Sequence, residues 1–305
     1  MKRVFILILA SVLVGCDMVS PEYTKPRVSL PLQWSQFENL PLSKNNNLPY
    51  VAWWQQFNDP ILNQLIAEGL VENNTIKQAD ARLEEARGEL KAVKLSWLPN
   101  VSTYLGYSNN PALGVPDKFY GIWPAYAMFN IFNTVALQKS AELEVAVRQK
   151  AVESTKLLLI GQIAASYYTY VGQLTQLTLF DRYIKDLNEV VEIAEEDYKD
   201  GIKSDIDVQA TKARLAFAES ERKAIQNNVL KSQNALRYLI NKNPGTVITS
   251  TRFDKVNTLY SNANIAGLPA TVLADRPDVA LAELQYHLAV QNRGKAYTQL
   301  LPSVQ

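Results

Sequence analysis

Cysteine and histidine are nearly missing from the 305 residues, with one of each, Cys16 and His287. A disulfide framework, a cysteine-based zinc site and a Cys–His nucleophile therefore have almost nothing to be built from. Charge of one sign is missing too. Thirty-one Lys and Arg face 30 Asp and Glu, a net charge of +1, which argues against binding nucleic acid through bulk charge. There is no GxxxxGK[ST] phosphate loop, so any energy for work must come from a partner. Proline is absent between Pro124 and Pro244, which leaves that stretch free to form very long helices. No polar constellation of the kind a catalytic pocket needs is apparent, so neither an enzyme nor a metal or cofactor site is expected. What remains is a chain 47% apolar and 20% charged. That is enough for one or two cores and too apolar for global disorder.

The N-terminus reads as a secretion signal. Lys2 and Arg3 precede an apolar run from Val4 to Val14, broken only by Ser11. The run is shorter than the roughly 20 residues that span a bilayer and fits the apolar region of a signal peptide over residues 1–15. Its end, Leu13-Val14-Gly15-Cys16, resembles the lipobox of bacterial lipoproteins. That likeness implies cleavage before Cys16 and acylation (diacylglycerol on sulfur, palmitate on the amine). Several acyl chains on one residue give firm anchoring. Asp17 follows directly, a residue type that in enteric lipoproteins favours retention in the inner membrane.

Residues 16–59 are rich in proline, asparagine and aromatics, including Trp34, Trp53 and Trp54, and read as an extended lead. Asp59 is placed to cap a helix that has Pro60 at its first position. Ile76, Ala79, Leu83, Ala86, Leu90, Val93 and Trp97 then step by three and four, a heptad seam. Three more seams follow: Ile160 to Leu174, Phe180 to Tyr198, and Val208 to Leu239. A helix from about Asn133 to Lys199 would be on the order of 100 Å long, a length suited to a fibre, spacer or tube. Gly201 suits the position just past a helix end and Ser204 or Asp205 the next N-cap. The helical stretch 133–241 is therefore expected to fold back as an antiparallel hairpin, followed by a connector over 242–275. Asp205 and Asp207 read as capping and solvated residues rather than an acid–base pair.

Between the helices, residues 101–129 alternate with period two, as in a pair of strands. Tyr104, Tyr107, Tyr120, Trp123 and Tyr126 make it an aromatic-rich hairpin that fits a membrane barrel. Two strands cannot close a barrel, so the others would have to come from elsewhere in the protein and from other copies. A shift of 203 residues lays Ile76 on Val279, Ala79 on Ala282, Ala86 on Ala289 and Leu98-Pro99 on Leu301-Pro302. That is an internal repeat with one copy over 60–275 and the start of a second over 276–305. By this arithmetic the second copy is cut short by roughly 170 residues.

The lipobox, Trp53-Trp54-x-x-Phe57-x-Asp59-Pro60-x-Leu62, Leu98-Pro99, Gly201-x-x-Ser204-x-x-Asp207, Arg276-Pro277-Asp278-Val279 and Leu301-Pro302-Ser303 occur in that order. The series resembles the outer-membrane efflux proteins, the TolC-like outer-membrane factors, and most closely their lipoprotein branch, over essentially the whole chain. The resemblance implies a mainly α protein with a small β part. Long antiparallel coiled-coil helices would form a periplasmic α-barrel, and a two-stranded membrane hairpin would enter a barrel shared by a homotrimer. It implies lipid anchoring in the bacterial outer membrane with no cofactor beyond the covalent lipid. It also implies a passive exit duct for small molecules, working with a periplasmic adaptor and an inner-membrane transporter. Gly201, Ile202, Lys203, Ser204, Asp205 and Asp207 would form the partner-docking turn at the periplasmic tip. A chain ending at Gln305 would lack two strands and the second helical hairpin, so a partial version unable to form the open duct alone is expected. The alternative is a periplasmic coiled-coil structural lipoprotein without channel activity.

Overall fold

The computed structural model describes residues 22–26, 52–98, 100–107, 118–125, 131–246, 248–250 and 276–298. The signal segment, Cys16, Asp17, Trp34, Tyr126, Leu301 and Pro302 lie outside them. After a 3-10 turn at Trp53–Phe57, the elements are α1 (Pro60–Glu72), α2 (Asn74–Leu95), β1 (Asn100–Tyr107) and β2 (Lys118–Ala125). They continue with α3 (Ile131–Lys199), α4 (Asp205–Leu239) and α5 (Pro277–Thr298). The chain divides into two units. One contains 22–26, Ala79–Ser154 and α5; the other contains 52–78 and 155–250.

The second unit holds a continuous apolar core. Leu62 and Ile66 of α1 meet Ile163, Tyr167 and Val171 of α3 and Leu236 of α4, all nearly solvent-free. Each such side chain contributes about 1.5–3 kcal/mol by leaving water. Tyr167, Val171 and Leu236 fall on the seams read from the sequence, whereas Leu62, Ile66 and Ile163 were not among those positions. Gly69 lies where a Cβ would sit 2.4 Å from Ile163 Cδ1, so any larger residue there would make the buried Ile163 side chain move.

The lead into α1 is latched by side chains. Asp59 Oδ1 accepts from the amides of Ile61 and Leu62 at 3.0 and 3.2 Å, and Pro60 opens the helix as expected. The Tyr167 hydroxyl donates to Asp59 Oδ2 at 3.0 Å. Trp53, Trp54 and Phe57 pack against the core, and Phe57 meets Tyr168 edge to face.

The heptads from Ile76 do not belong to the helix that starts at Pro60. Asn73 breaks the path, with ψ 126°. Its Oδ1 accepts from Thr75 N at 2.8 Å and Ile76 N at 3.2 Å, capping α2, while its Nδ2 donates to Leu239 O at 2.8 Å. Helix α2 stops at Leu95, so Trp97 lies beyond it in the following turn and is exposed. Helix α3 starts at Ile131, two residues before the expected start, and α4 ends at Leu239.

In the other unit Leu83 and Ala86 of α2 and Ala136 and Val147 of α3 are buried. The Thr298 hydroxyl of α5 donates to Asn133 Oδ1 at 3.1 Å. Helices α2 and α5 are both 22 residues long, and their bounds coincide when shifted by 203 residues.

Candidate functional site

Two places carry the residues singled out from the sequence. The first is the turn between α3 and α4. Gly201 has φ +72°, the left-handed region where glycine has no Cβ penalty. Its amide donates to Tyr198 O at 3.1 Å, and the Ile202 amide reaches back to Asp197 O at 2.8 Å. This is a Schellman ending. Ser204 then starts α4. The Asp207 amide donates to Ser204 Oγ at 3.4 Å, and the Ser204 amide donates to Asp207 Oδ2 at 3.1 Å, the reciprocal capping box. The Ser204 hydroxyl also donates to that carboxylate at 2.8 Å. These bonds from Ser204, side chain first, hold the Asp207 carboxyl below the usual carboxylate range.

Lys203 Nζ lies 2.7 Å from Asp197 Oδ2, while the Asp205 carboxylate accepts from Gln209 Nε2 at 3.2 Å. The partner pairs Glu195–Lys212, Asp181–Arg222 and Gln173–Ser232 move outward symmetrically from this turn, which fixes the antiparallel register of α3 and α4. Polar pairing thus ties the turn down at its base. At its surface Ile202 is 72% and Ile206 79% exposed. Ile206 was not among the residues expected here. Its signal in the sequence is an apolar side chain set between Asp205 and Asp207 at the start of a helix.

The second place is the hairpin. Strands β1 and β2 pair antiparallel from Asn100↔Ala125 to Tyr107↔Lys118, and the described part of β2 stops at Ala125, short of Phe129. Pairing puts Val101, Leu105 and Tyr107 on one face with Tyr120 and Ile122. That face is open to solvent, with Leu105 88% and Tyr120 80% exposed. On the other face Tyr104 lies opposite Gly121. A Cβ on Gly121 would meet the Tyr104 ring at 2.6 Å, so the glycine provides the seat for that ring. Trp123 pairs with Ser102 through the backbone. Among the described residues the sheet has two strands, and both outer edges are unpaired.

Elsewhere an open apolar groove of about 460 Å³ in the first unit is lined by Ala92, Val93, Leu137, Ala141 and Leu288, with Glu89, Glu144 and Lys295 among its polar lining. Among the described residues no group of three or more His, Cys, Asp or Glu could hold a metal ion. No described helix is long and apolar enough to cross a membrane.

Comparison with known proteins points in one direction. The family model described as outer membrane efflux protein matches residues 65–242. The probable efflux pump outer membrane protein TtgC of Pseudomonas putida is 26% identical across 97% of this chain. The probable outer membrane lipoprotein SilC of Salmonella typhimurium is 21% identical across 96%. The chain spans 63% and 64% of the length of these two relatives. Among solved structures, the outer-membrane channel OprN superposes with a TM-score of 0.77 at 20% identity, over 93% of this chain and 65% of that one.

Proposed function

The chain belongs to the outer membrane efflux protein family, and from that premise we propose that it serves in the exit duct of a tripartite efflux system. The duct conducts small molecules passively across the periplasm and outer membrane. Cys16 anchors the chain by its lipid, and no catalysis is involved.

The observation that carries this reading is the hairpin. Its exposed face of Val101, Leu105, Tyr107, Tyr120 and Ile122 is costly in water and suited to lipid. Its unpaired edges call for further strands, which a shared barrel supplies. Tyr104, Tyr107, Tyr120, Trp123 and Tyr126 then serve as barrel and membrane-interface aromatics.

Assembly of copies has its own support. Besides its buried seam, α3 exposes Leu179, Tyr183, Val190 and Ile193 at heptad spacing, and α4 exposes Ile206 and Phe217 with Ala210 and Ala213 between them. Two helices with a second apolar seam suit a closed tube of further helices, as in a homotrimer. The turn from Gly201 to Asp207 is rigid at its base and apolar at Ile202 and Ile206, which suits it to docking a periplasmic adaptor that links the duct to an inner-membrane transporter.

The test uses the protein in its own cells with a photocrosslinking residue at Ile202. The duct reading expects recovery in the outer-membrane fraction and crosslinking to a periplasmic adaptor. Recovery in the aqueous periplasmic fraction without a crosslink would favour a structural coiled-coil lipoprotein instead.

A further inference from the structure

We propose that segment 22–26 and α5 form a pH-sensitive clamp, in which protonation of His287 tightens the grip of α5 on the N-terminal part of the chain. The inference is independent of the duct reading.

The clamp is built from five side chains. The Tyr23 ring stacks on the His287 imidazole, with centroids 4.3 Å apart and planes 25° from parallel. The Tyr23 hydroxyl donates to Glu283 Oε1 at 3.1 Å, and Lys25 Nζ lies 2.9 Å from Glu283 Oε2. Tyr286 adds an edge contact to Tyr23 at 5.9 Å. The segment itself has no regular secondary structure, and the contacts that hold it are made by side chains.

Histidine is the side chain that ordinarily changes charge between pH 5 and 8. Neutral, His287 contributes an aromatic stack. Charged, it becomes a cation over the face of a tyrosine, an attraction absent before. It also gains Glu283, one helical turn earlier, as a counter-charge. The ionisable residues concerned are Glu22, Tyr23 and Lys25 of the segment and Glu283 and Tyr286 of α5. Lys25 opposes the new charge, but it is well exposed and already paired with Glu283, which screens it. Glu283 stays ionised in mild acid, because the bond from Lys25 and then that from Tyr23 keep its carboxyl below the usual range. The sign follows: the extra grip is present in acid and is lost as the imidazole gives up its proton. Tyr23 comes seven positions after Cys16, a reach of at most about 25 Å, so the clamp also limits how far from it any lipid on Cys16 can lie.

Cys16 is the chain's one cysteine, so a Cys16→Ser chain with Thr24→Cys takes a single nitroxide label at an exposed position. Its paramagnetic resonance spectrum separates seated from released segments. Between pH 8 and pH 5.5 the seated-to-released ratio should rise about 2- to 5-fold. His287→Gln should remove the pH response, and Tyr23→Leu should release the segment at both pH values. A flat ratio in the parent chain, or an equal pH response in His287→Gln, would overturn the proposal. Helicity measured on the same samples separates release of the segment from unfolding.

Discussion

Asp207 does two jobs in one turn: its amide is capped by Ser204 while its carboxylate caps Ser204 in return. Because the folded carboxyl titrates below its usual range, the charged form is favoured by folding. The resulting stability is present above the ordinary carboxylate range and is lost as pH falls through the lowered folded value. Amide exchange in the first turn of α4 should therefore accelerate in acid, after correction for intrinsic rates. Asp207→Asn should exchange faster at neutral pH and lose most of that acid dependence. Ser204, Asp207 and Gly201 are legible from sequence because caps are local, with the partners three residues apart or closer. The bond from Tyr167 to Asp59 is not. It joins residues 108 apart, and no local pattern distinguishes this tyrosine from Tyr168 beside it. The meeting of Tyr23 with His287 is hidden for the same reason.

Among the elements, the long helices were readable because their seams repeat for many turns, and the buried positions Ala194, Val208, Ala218 and Leu236 are those the spacing picks out. The break at Asn73 was missed because a heptad count follows apolar residues and passes over one buried amide. Asn73-Asn74-Thr75 held the signal, an N-cap residue at the head of the seam. Asn73 is 5% exposed and ties the start of α2 to the last turn of α4. Asn73→Ala removes a cap and leaves the Leu239 carbonyl short of a donor. It should cost about 2–3 kcal/mol in denaturant unfolding. Asn73→Asp keeps the cap acceptor, loses the donor to Leu239 and sets a carboxylate against that carbonyl, so it should be no better than alanine.

For the molecule as a whole, the mainly α class with a small β part was legible from periodicity, and the family from the order of its motifs. Which helix faces would meet other copies in the proposed trimer was not, because each long helix carries two apolar seams and the sequence does not rank them. The structure separates the seams: Leu187 and Ala194 are buried, whereas Leu179 and Ile193 are about half exposed. Replacing Leu179 and Ile193 together by glutamate should therefore leave helicity unchanged. In protein extracted from its own membranes, the proposed trimer predicts that the same change shifts the population from trimer to monomer by at least tenfold, read by native mass measurement. A trimer fraction unchanged by the two charges would mean that this seam is not the contact.

The matched bounds of α2 and α5 bring a hazard of mistaken identity during folding. A chain with two helices of equal length at equivalent places in a repeat offers two candidates for each seat, and exchange would give a compact but wrong molecule. The two copies differ where it matters. Gly294 and Thr298 of α5 are buried, and at the equivalent places α2 has Lys91 and Leu95, both exposed. A lysine carried into a buried place would have to give up its water, so divergence between the copies works against their exchange.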